Sequence, residues 1–390
     1  AQYEAYYQGQ LTSQLLELPE IQQRLLQLER STQRRTALVY VIPSPKFLDI
    51  ILVPPNQPAL HRRIRVSSEQ RQSVIRSFRQ GVVNPDSLPE DYLPAAQQLH
   101  TWMIQPISTA LQNQKIDSLI FCLGGGLRSL PIAALHDGQR FLVERFNLAI
   151  IPAFNLLDHR TSQLRKGQIL ALGASEFASE TDLPAVPLEL QAITDRPWRG
   201  KVLLNQAFTL QNFHQARSQA PNHLPYNIIH LATHANISEQ SVQQSYIRFW
   251  DQPLSLDQMA TLGLRQPPVD LLVLSACRTA LDSPVAELGF AGLAVKSGAK
   301  AAIASLWSVN DTGTFIFMTD FYRRLKQALI KAEALRQTQL SLLRHPMHFQ
   351  QNRHWRGGQP QLSKLLQSLE KDNLSHPYYW ASFTMIGNPW

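Results

Sequence analysis

The sequence contains few cysteines, no metal-binding motif and no long apolar run. Two cysteines, Cys122 and Cys277, occur in 390 residues, whereas a secreted fold built on disulfides needs more. Two thiols in a large chain are typical of a reducing compartment, so we expect a cytoplasmic protein. No CxxC or HExxH spacing is present, and no apolar run approaches a membrane span. We therefore expect no metal, no other cofactor and no membrane contact.

Charged residues are also scarce, at 17%, while hydrophobic residues make up 44%. This balance excludes a disordered chain and allows a sizeable core. The net charge of +8 makes nucleic acid a partner to consider. The basic stretches STQRR and HRRIRV are short, however, and they lack interleaved aromatic residues. Nucleic acid is therefore an unlikely partner.

From residue 118 onward, short apolar runs alternate with segments of helical periodicity. Continuous apolar runs of four to eight residues are typical of strands buried on both faces of a parallel sheet. The alternation predicts an α/β layered fold. The strand-like runs include 118–123, 167–174, 226–234, 269–276 and 299–307, with two further stretches within 140–153; earlier strands are predicted at 36–42, 48–53 and 62–67.

The predicted helices include one long amphipathic segment near the beginning of the chain. Apolar residues recur at helical spacing in residues 5–31, and also in the segments between the strands. Further helices are predicted at 68–80, 90–114, 187–195, 209–218, 255–262, 288–297, 312–329, 331–344 and 361–371.

A cluster of glycines at 124–126 follows the strand at 118–123 and superficially resembles a phosphate-binding loop. It lacks the GxGxxG spacing, and Pro131 lies where a long helix should continue. Nucleotide binding is therefore the weakest interpretation of this chain.

Two predicted strands end in residues that can react. The run IIHLATH ends in His234, and LLVLSA is followed by Cys277. Sites in open α/β sheets lie beyond the carboxyl ends of the strands, and a thiol becomes nucleophilic beside a base. Spacing alone leaves structural roles open for both residues. Cys122 and His230, which lie within strands, are interpreted as structural.

Several motifs occur in a fixed order: HLATHA, LLVLSACRTAL, GAKAAIASLWSVND, FYRRL and HPYYWASFTMIG, preceded by LRSLPIAALHDGQRFLVERFNLAIIPA. This set, over residues 36–390, resembles the CHAT family of caspase-like cysteine peptidases related to separase. The resemblance implies a caspase-like layered α/β fold with a mostly parallel sheet. It further implies a degenerate half at 34–165, a catalytic half at 166–390, and a helical segment or linker at 1–33.

The resemblance also implies the roles of individual residues. Cys277 matches the family's nucleophile and His234 its partner, and the backbone N–H groups of Ala235 and Cys277 would hold the oxyanion. The family usually has glycine where this chain has Ala235, and CLGGGLRSLP replaces a usual proline-aspartate-glycine lead. Asp311 in LWSVND would bind a basic substrate side chain, with Asp282 as the fallback. Alternatively, Asp311 only caps the helix that follows it.

The function expected from this resemblance is an endopeptidase that cleaves protein or peptide substrates after Arg or Lys. Because the chain starts at Ala1, we expect a longer protein whose preceding region meets an activator or adaptor. The alternative is a catalytically weak or inactive caspase-like scaffold in a signalling assembly, for which Ala235 is the one supporting feature.

Overall fold

The computed structural model describes residues 16–157, 164–195, 198–220, 224–236, 244–275, 292, 294–295, 297–344 and 373–390. Its helices are α1 (Leu18–Thr32), α2 (Ser68–Val83), α3 (Pro89–Met103), α4 (Ser108–Asn113), α5 (Val186–Asp195), α6 (Leu210–Ser218), α7 (Asp311–Leu325), α8 (Lys331–Arg344) and α9 (Pro377–Trp380). Its strands are β1 (Thr36–Pro43), β2 (Phe47–Val53), β3 (Leu60–Arg65), β4 (Ser118–Leu123), β5 (Asn147–Ile150), β6 (Gln168–Gly173), β7 (Arg199–Leu204), β8 (Tyr226–Ala232), β9 (Ala235–Asn236), β10 (Tyr246–Arg248), β11 (Pro253–Ser255), β12 (Leu271–Leu274), β13 (Ala301–Ser305) and β14 (Phe383–Gly387).

Within this described part, eleven strands form one sheet in the order β3-β2-β1-β4-β5-β14-β13-β12-β8-β6-β7. Seven of its ten neighbouring strand pairs are parallel. The predicted α/β class with a mostly parallel sheet is confirmed. Strands β9, β10 and β11 form a separate antiparallel sheet.

The central strands are buried on both faces, which explains their unbroken apolar runs. Along β12, Leu271 and Val273 belong to one hydrophobic cluster, and Leu272 and Leu274 belong to another. Successive side chains of a strand point to opposite faces, so each cluster fills one side of the sheet. Helix α7 packs against both α5 and α8.

The C-terminal strand lies in the middle of the large sheet. β14 pairs antiparallel with β13 and parallel with β5, where Ile386 is opposite Ile150. Strands β1–β5 lie on one side of β14, and β6, β7, β8, β12 and β13 lie on the other. The division into halves at residue 165 stays a prediction, because one sheet runs through both.

Some local predictions differ from the structure. Only one strand, β5, occurs within 140–153, because Leu142–Glu144 forms a 3₁₀ turn. The predicted helix at 90–114 is interrupted after Met103 by a 3₁₀ turn at Gln105–Ile107, where Pro106 lacks the N–H that a continuing helix needs. Residues 255–262 form a 3₁₀ helix over Leu256–Leu262.

Candidate active site

The candidate site is a cavity beyond the carboxyl ends of four parallel strands. β6, β8, β12 and β13 are mutually parallel neighbours or near neighbours, so their carboxyl ends meet at one edge. A cavity of about 420 Å³ opens there. Its described lining consists of Ser179, Glu180, Thr181, Asp182, Leu183, Val186, Glu189, His234, Ala235, Asn236, Tyr246, Ser275, Ser308, Val309, Asn310, Asp311 and Thr314.

His234 lies two residues beyond the end of β8, which stops at Ala232 and not at the histidine. Its ring is half-buried and packs against Phe177, with the ring centroids 4.5 Å apart. Its Nε2 lies 2.6 Å from the carbonyl oxygen of Thr181. A carbonyl oxygen can only accept, so Nε2 carries the proton and, in the neutral ring, Nδ1 carries the lone pair.

Ala235 starts β9 and is buried. It does not adopt a positive φ, so a Cβ at this position causes no backbone strain. The N–H of Arg248 donates to the carbonyl of His234, and Ala235 is opposite Ile247 in the next pair. In an antiparallel ladder, hydrogen-bonded and non-hydrogen-bonded pairs alternate, so the N–H of Ala235 points away from β10.

Asp311 is the first residue of α7, but it is not the cap of that helix. The N-cap is Asn310, whose side chain accepts from the N–H of Gly313 at 2.6 Å. Oδ2 of Asp311 instead accepts from the N–H of Ala185, 2.5 Å away. Burial raises the pKa of Asp311 to about 6; the Ala185 bond works against this rise, and the nearby charge of Glu189 adds to it.

Cys277 and Asp282 lie outside the described residues, so their positions relative to the cavity stay predictions. Ser275, which follows β12 and precedes Cys277 by two residues, is buried and lines the cavity. The structure therefore brings together His234, Ala235, Asp311 and Ser275.

The sequence matches the profile of the CHAT domain family over residues 93–388. The chain belongs to the CHAT domain family. Among solved structures, it is similar to separase of Saccharomyces cerevisiae in complex with securin. The structure of that complex at 2.6 Å resolution has 9% sequence identity to this chain. The match covers 95% of this chain and 31% of that chain, with a TM-score of 0.52. A second structure of the complex, at 3.0 Å resolution, has 10% identity. That match covers 95% of this chain and 30% of that chain, with a TM-score of 0.55.

The Arg-specific cysteine proteinase gingipain R also matches, with 10% identity, 93% of this chain and 78% of that chain covered, and a TM-score of 0.47. A search of the curated proteins gave no significant match. The separase matches show that this CHAT domain has a caspase-like fold, and the chain spans about a third of the length of those separase chains.

Beneath the cavity, the CHAT domain contains a buried polar network that the sequence interpretation missed. Nε2 of His230 lies 2.8 Å from Oε1 of Glu189, and its Nδ1 lies 3.1 Å from the hydroxyl of Tyr322. One signal was available. Glu189 shares the buried stripe of α5 with Val186 and Leu190, and a carboxylate on an apolar helix face needs a partner.

The contacts around Cys122 and the glycine cluster at 124–126 indicate structural roles. Sγ of Cys122 donates to the carbonyl of Pro152 at 3.2 Å, and burial raises the pKa of this thiol to about 11. A Cβ at Gly124 would overlap Cδ of Pro43, so close packing explains that glycine. Within the described residues there is no cluster of metal-ligating side chains and no helix long and apolar enough to cross a membrane.

Proposed function

We propose that this CHAT domain is a cysteine endopeptidase that cleaves protein or peptide substrates after Arg or Lys. One observation carries the proposal: a single cavity is lined by His234, Ala235 and Asp311, and by Ser275 two residues before Cys277. A base and a backbone donor beside a thiol are the parts that peptide-bond cleavage by cysteine needs, and a carboxylate in the same cavity can bind a basic substrate side chain.

In this proposal His234 is the general base. The Thr181 carbonyl holds Nε2–H, which fixes the ring and leaves the lone pair on Nδ1. Nδ1 takes the proton of the Cys277 thiol, and the thiolate attacks the carbonyl carbon of the scissile bond. When the C–N bond breaks, Nδ1–H protonates the leaving amine. Water then hydrolyses the acyl-thioester, giving one proton to His234, which returns it to the departing thiolate.

The backbone N–H groups of Ala235 and Cys277 would stabilise the oxyanion that forms at each attack. The N–H of Ala235 points away from β10, as a donor to a bound substrate must. Because Ala235 does not have a positive φ, alanine can take the place of the family's glycine without backbone strain.

Asp311 would bind the basic side chain of the residue before the cleaved bond. It accepts one backbone bond from Ala185 and forms no ion pair with any described Lys or Arg. An Arg or Lys from the substrate would supply the missing positive charge. Asp282 stays the second candidate for this role.

The wider organisation is also part of the proposal. Residues 34–165 would be the degenerate half that supports the sheet, and residues 166–390 would carry the dyad. The solved yeast separase is in complex with securin, which supports regulation of this CHAT domain by a protein partner.

A peptide library read by mass spectrometry tests the proposal. Wild type should cleave after Arg or Lys, Cys277→Ala and His234→Ala should be inactive, and Cys122→Ala should cleave like wild type. Asp311→Asn should slow cleavage after basic residues by one to several orders of magnitude, because breaking a desolvated ion pair costs about 2–5 kcal/mol. Absence of cleavage by wild type would favour the scaffold alternative, and cleavage by Cys277→Ala would exclude the mechanism.

A further inference from the structure

Glu189 occupies an unusual position for a carboxylate. Its side chain is 1% exposed and yet it belongs to the lining of the cavity. It forms part of the cavity floor, and its partner His230 is fully buried. A carboxylate is rarely buried to this extent unless it is paired, so its charge state matters to the site.

The hydrogen bonds around His230 are satisfied by a neutral ring. Tyr322 can donate its hydroxyl proton to Nδ1, and Nε2–H can then donate to Oε1 of Glu189. In this arrangement every polar atom of the His230 ring has a partner and no buried imidazolium is required. Glu189 then accepts one hydrogen bond from a neutral ring and has no cation beside it among these contacts.

Asp311 lines the same cavity. The charge of Glu189 is one cause of its raised pKa of about 6, after burial, so the two carboxylates repel each other across the floor. Glu180 and Asp182 add two carboxylates to the lining, and none of the described lining residues is Lys or Arg. Arg248 lies beside Glu180, with 3.8 Å between Nε of Arg248 and Oε2 of Glu180. It therefore partly neutralises the charge of Glu180 at the rim of the cavity, but not the carboxylates of the floor.

One buried and one half-buried carboxylate without a cation destabilise the empty protein. Such an arrangement is typical of a site that is completed by its ligand, since clustered like charges are a mark of functional sites. The missing component is one positive charge with several hydrogen-bond donors.

From these contacts we propose that Glu189, held by His230 and Tyr322, is the second carboxylate of the cavity floor and that Asp311 and Glu189 together select an arginine side chain over lysine. The inference rests on the proposed function, since it concerns the substrate class of the same cavity.

Arginine suits this floor better than lysine for two physical reasons. Its planar guanidinium carries five N–H donors in a fixed fork, so it can serve two acceptors at once. It is also more weakly hydrated than an ammonium, so it loses less on entering a buried floor. Lysine, a compact and strongly hydrated charge, would be satisfied by Asp311 alone.

A binding experiment tests this without any need for cleavage. The whole chain carrying Cys277→Ala is titrated with Nα-acetyl-L-arginine methylamide and with the lysine equivalent, and the two dissociation constants are measured by NMR. We expect arginine to bind at least about 10-fold more tightly than lysine. Adding Glu189→Gln should weaken arginine by about 10-fold or more and lysine by less, so that the preference largely disappears.

Two further variants complete the test. Glu189→Asp keeps the charge, so it should retain part of the arginine preference, and the exposed Glu90→Gln should change neither affinity. Thermal melting checks that each variant is folded. Equal binding of the two ligands by the parent, binding of neither, or an unchanged preference in folded Glu189→Gln would each overturn the inference. An inactive wild type that still prefers arginine would instead count against the endopeptidase alone.

Discussion

The structure describes the surroundings of one of the two cysteines, and they predict an unreactive thiol. Cys122 donates to the carbonyl of Pro152, and its burial raises its pKa to about 11. At pH 7.5 its thiolate should be at least about 100-fold scarcer than that of an ordinary cysteine. Iodoacetamide should therefore label Cys277 much faster than Cys122, as followed by peptide mass spectrometry over time.

The Cys277→Ser variant is the control for this experiment, because it should lose the fast phase and keep the slow one. His234→Ala should slow the labelling of Cys277 if the two residues form a dyad. Equally slow labelling of both cysteines in wild type would argue against an activated thiol.

Asp311 should make stability depend on pH. Its pKa is about 6 in the folded chain, raised chiefly by burial and above its ordinary value. The folded state thus holds the proton more tightly, and this contribution to stability is present at low pH and lost as pH rises towards 6 and beyond. Asp311→Asn should therefore raise the free energy of unfolding by about 1–3 kcal/mol at pH 8, and by less at pH 5, in urea titrations.

The matched control for this substitution is Asp251→Asn, at an exposed position in the β10–β11 turn. It should change stability by less than about 0.5 kcal/mol at either pH. A loss of stability in Asp311→Asn at pH 8 would mean that the bond to Ala185 outweighs the cost of burying the charge.

Sequence reasoning found three residues of the candidate site. His234, Ala235 and Asp311 were predicted from motifs and strand ends, and the structure brings all three to one cavity. The carbonyl of Thr181 was not predictable, because any residue type offers the same backbone oxygen. The Glu189–His230 pairing joins a side chain of α5 to one of β8, which no local pattern shows.

At the scale of elements, the first turn of α7 positions the carboxylate of the site. Asn310 caps this helix and Asp311 is its first residue. Asn310→Ala removes the bond to the N–H of Gly313 and should lower the free energy of unfolding by about 1 kcal/mol. It should also weaken arginine binding, because a frayed first turn no longer holds Asp311 in place. Asn310→Ser keeps a capping oxygen and should restore both properties, as measured by chemical denaturation and ligand titration.

Strands that are buried on both faces were the elements that the sequence predicted best. The apolar runs at 118–123 and 226–234 contain β4 and β8, since full burial leaves an unbroken signal. The run at 140–153 was ambiguous for the same reason. Leu142 and Val143 are buried by tertiary packing while the backbone forms a 3₁₀ turn, and apolarity alone does not distinguish the two cases.

At the scale of the whole molecule, the C-terminal segment at 373–390 connects the two groups of strands that flank β14. The ring of Trp380 meets Phe141 with centroids 5.1 Å apart, and His376 meets Tyr92 at the same separation. The side chain of Gln339 in α8 donates to the carbonyls of Trp380 and Phe383. One hydrophobic cluster also includes residues of both β1 and β14. No local sequence pattern predicted that the last strand would lie between the two groups of strands.

This shared core predicts that the chain unfolds in a single cooperative step, although the sequence analysis predicted two halves. Trp380 is fully buried between the two sides, so Trp380→Ala should lower the free energy of unfolding by about 3–5 kcal/mol. Because both groups of strands lose the packing of the same side chain, calorimetry should show a single unfolding transition that is moved to lower temperature. Trp250→Ala, at a position 36% exposed, should hardly move it. Two separate transitions, of which only one responds to Trp380→Ala, would instead show that residues 34–165 and 166–390 are independently folding domains.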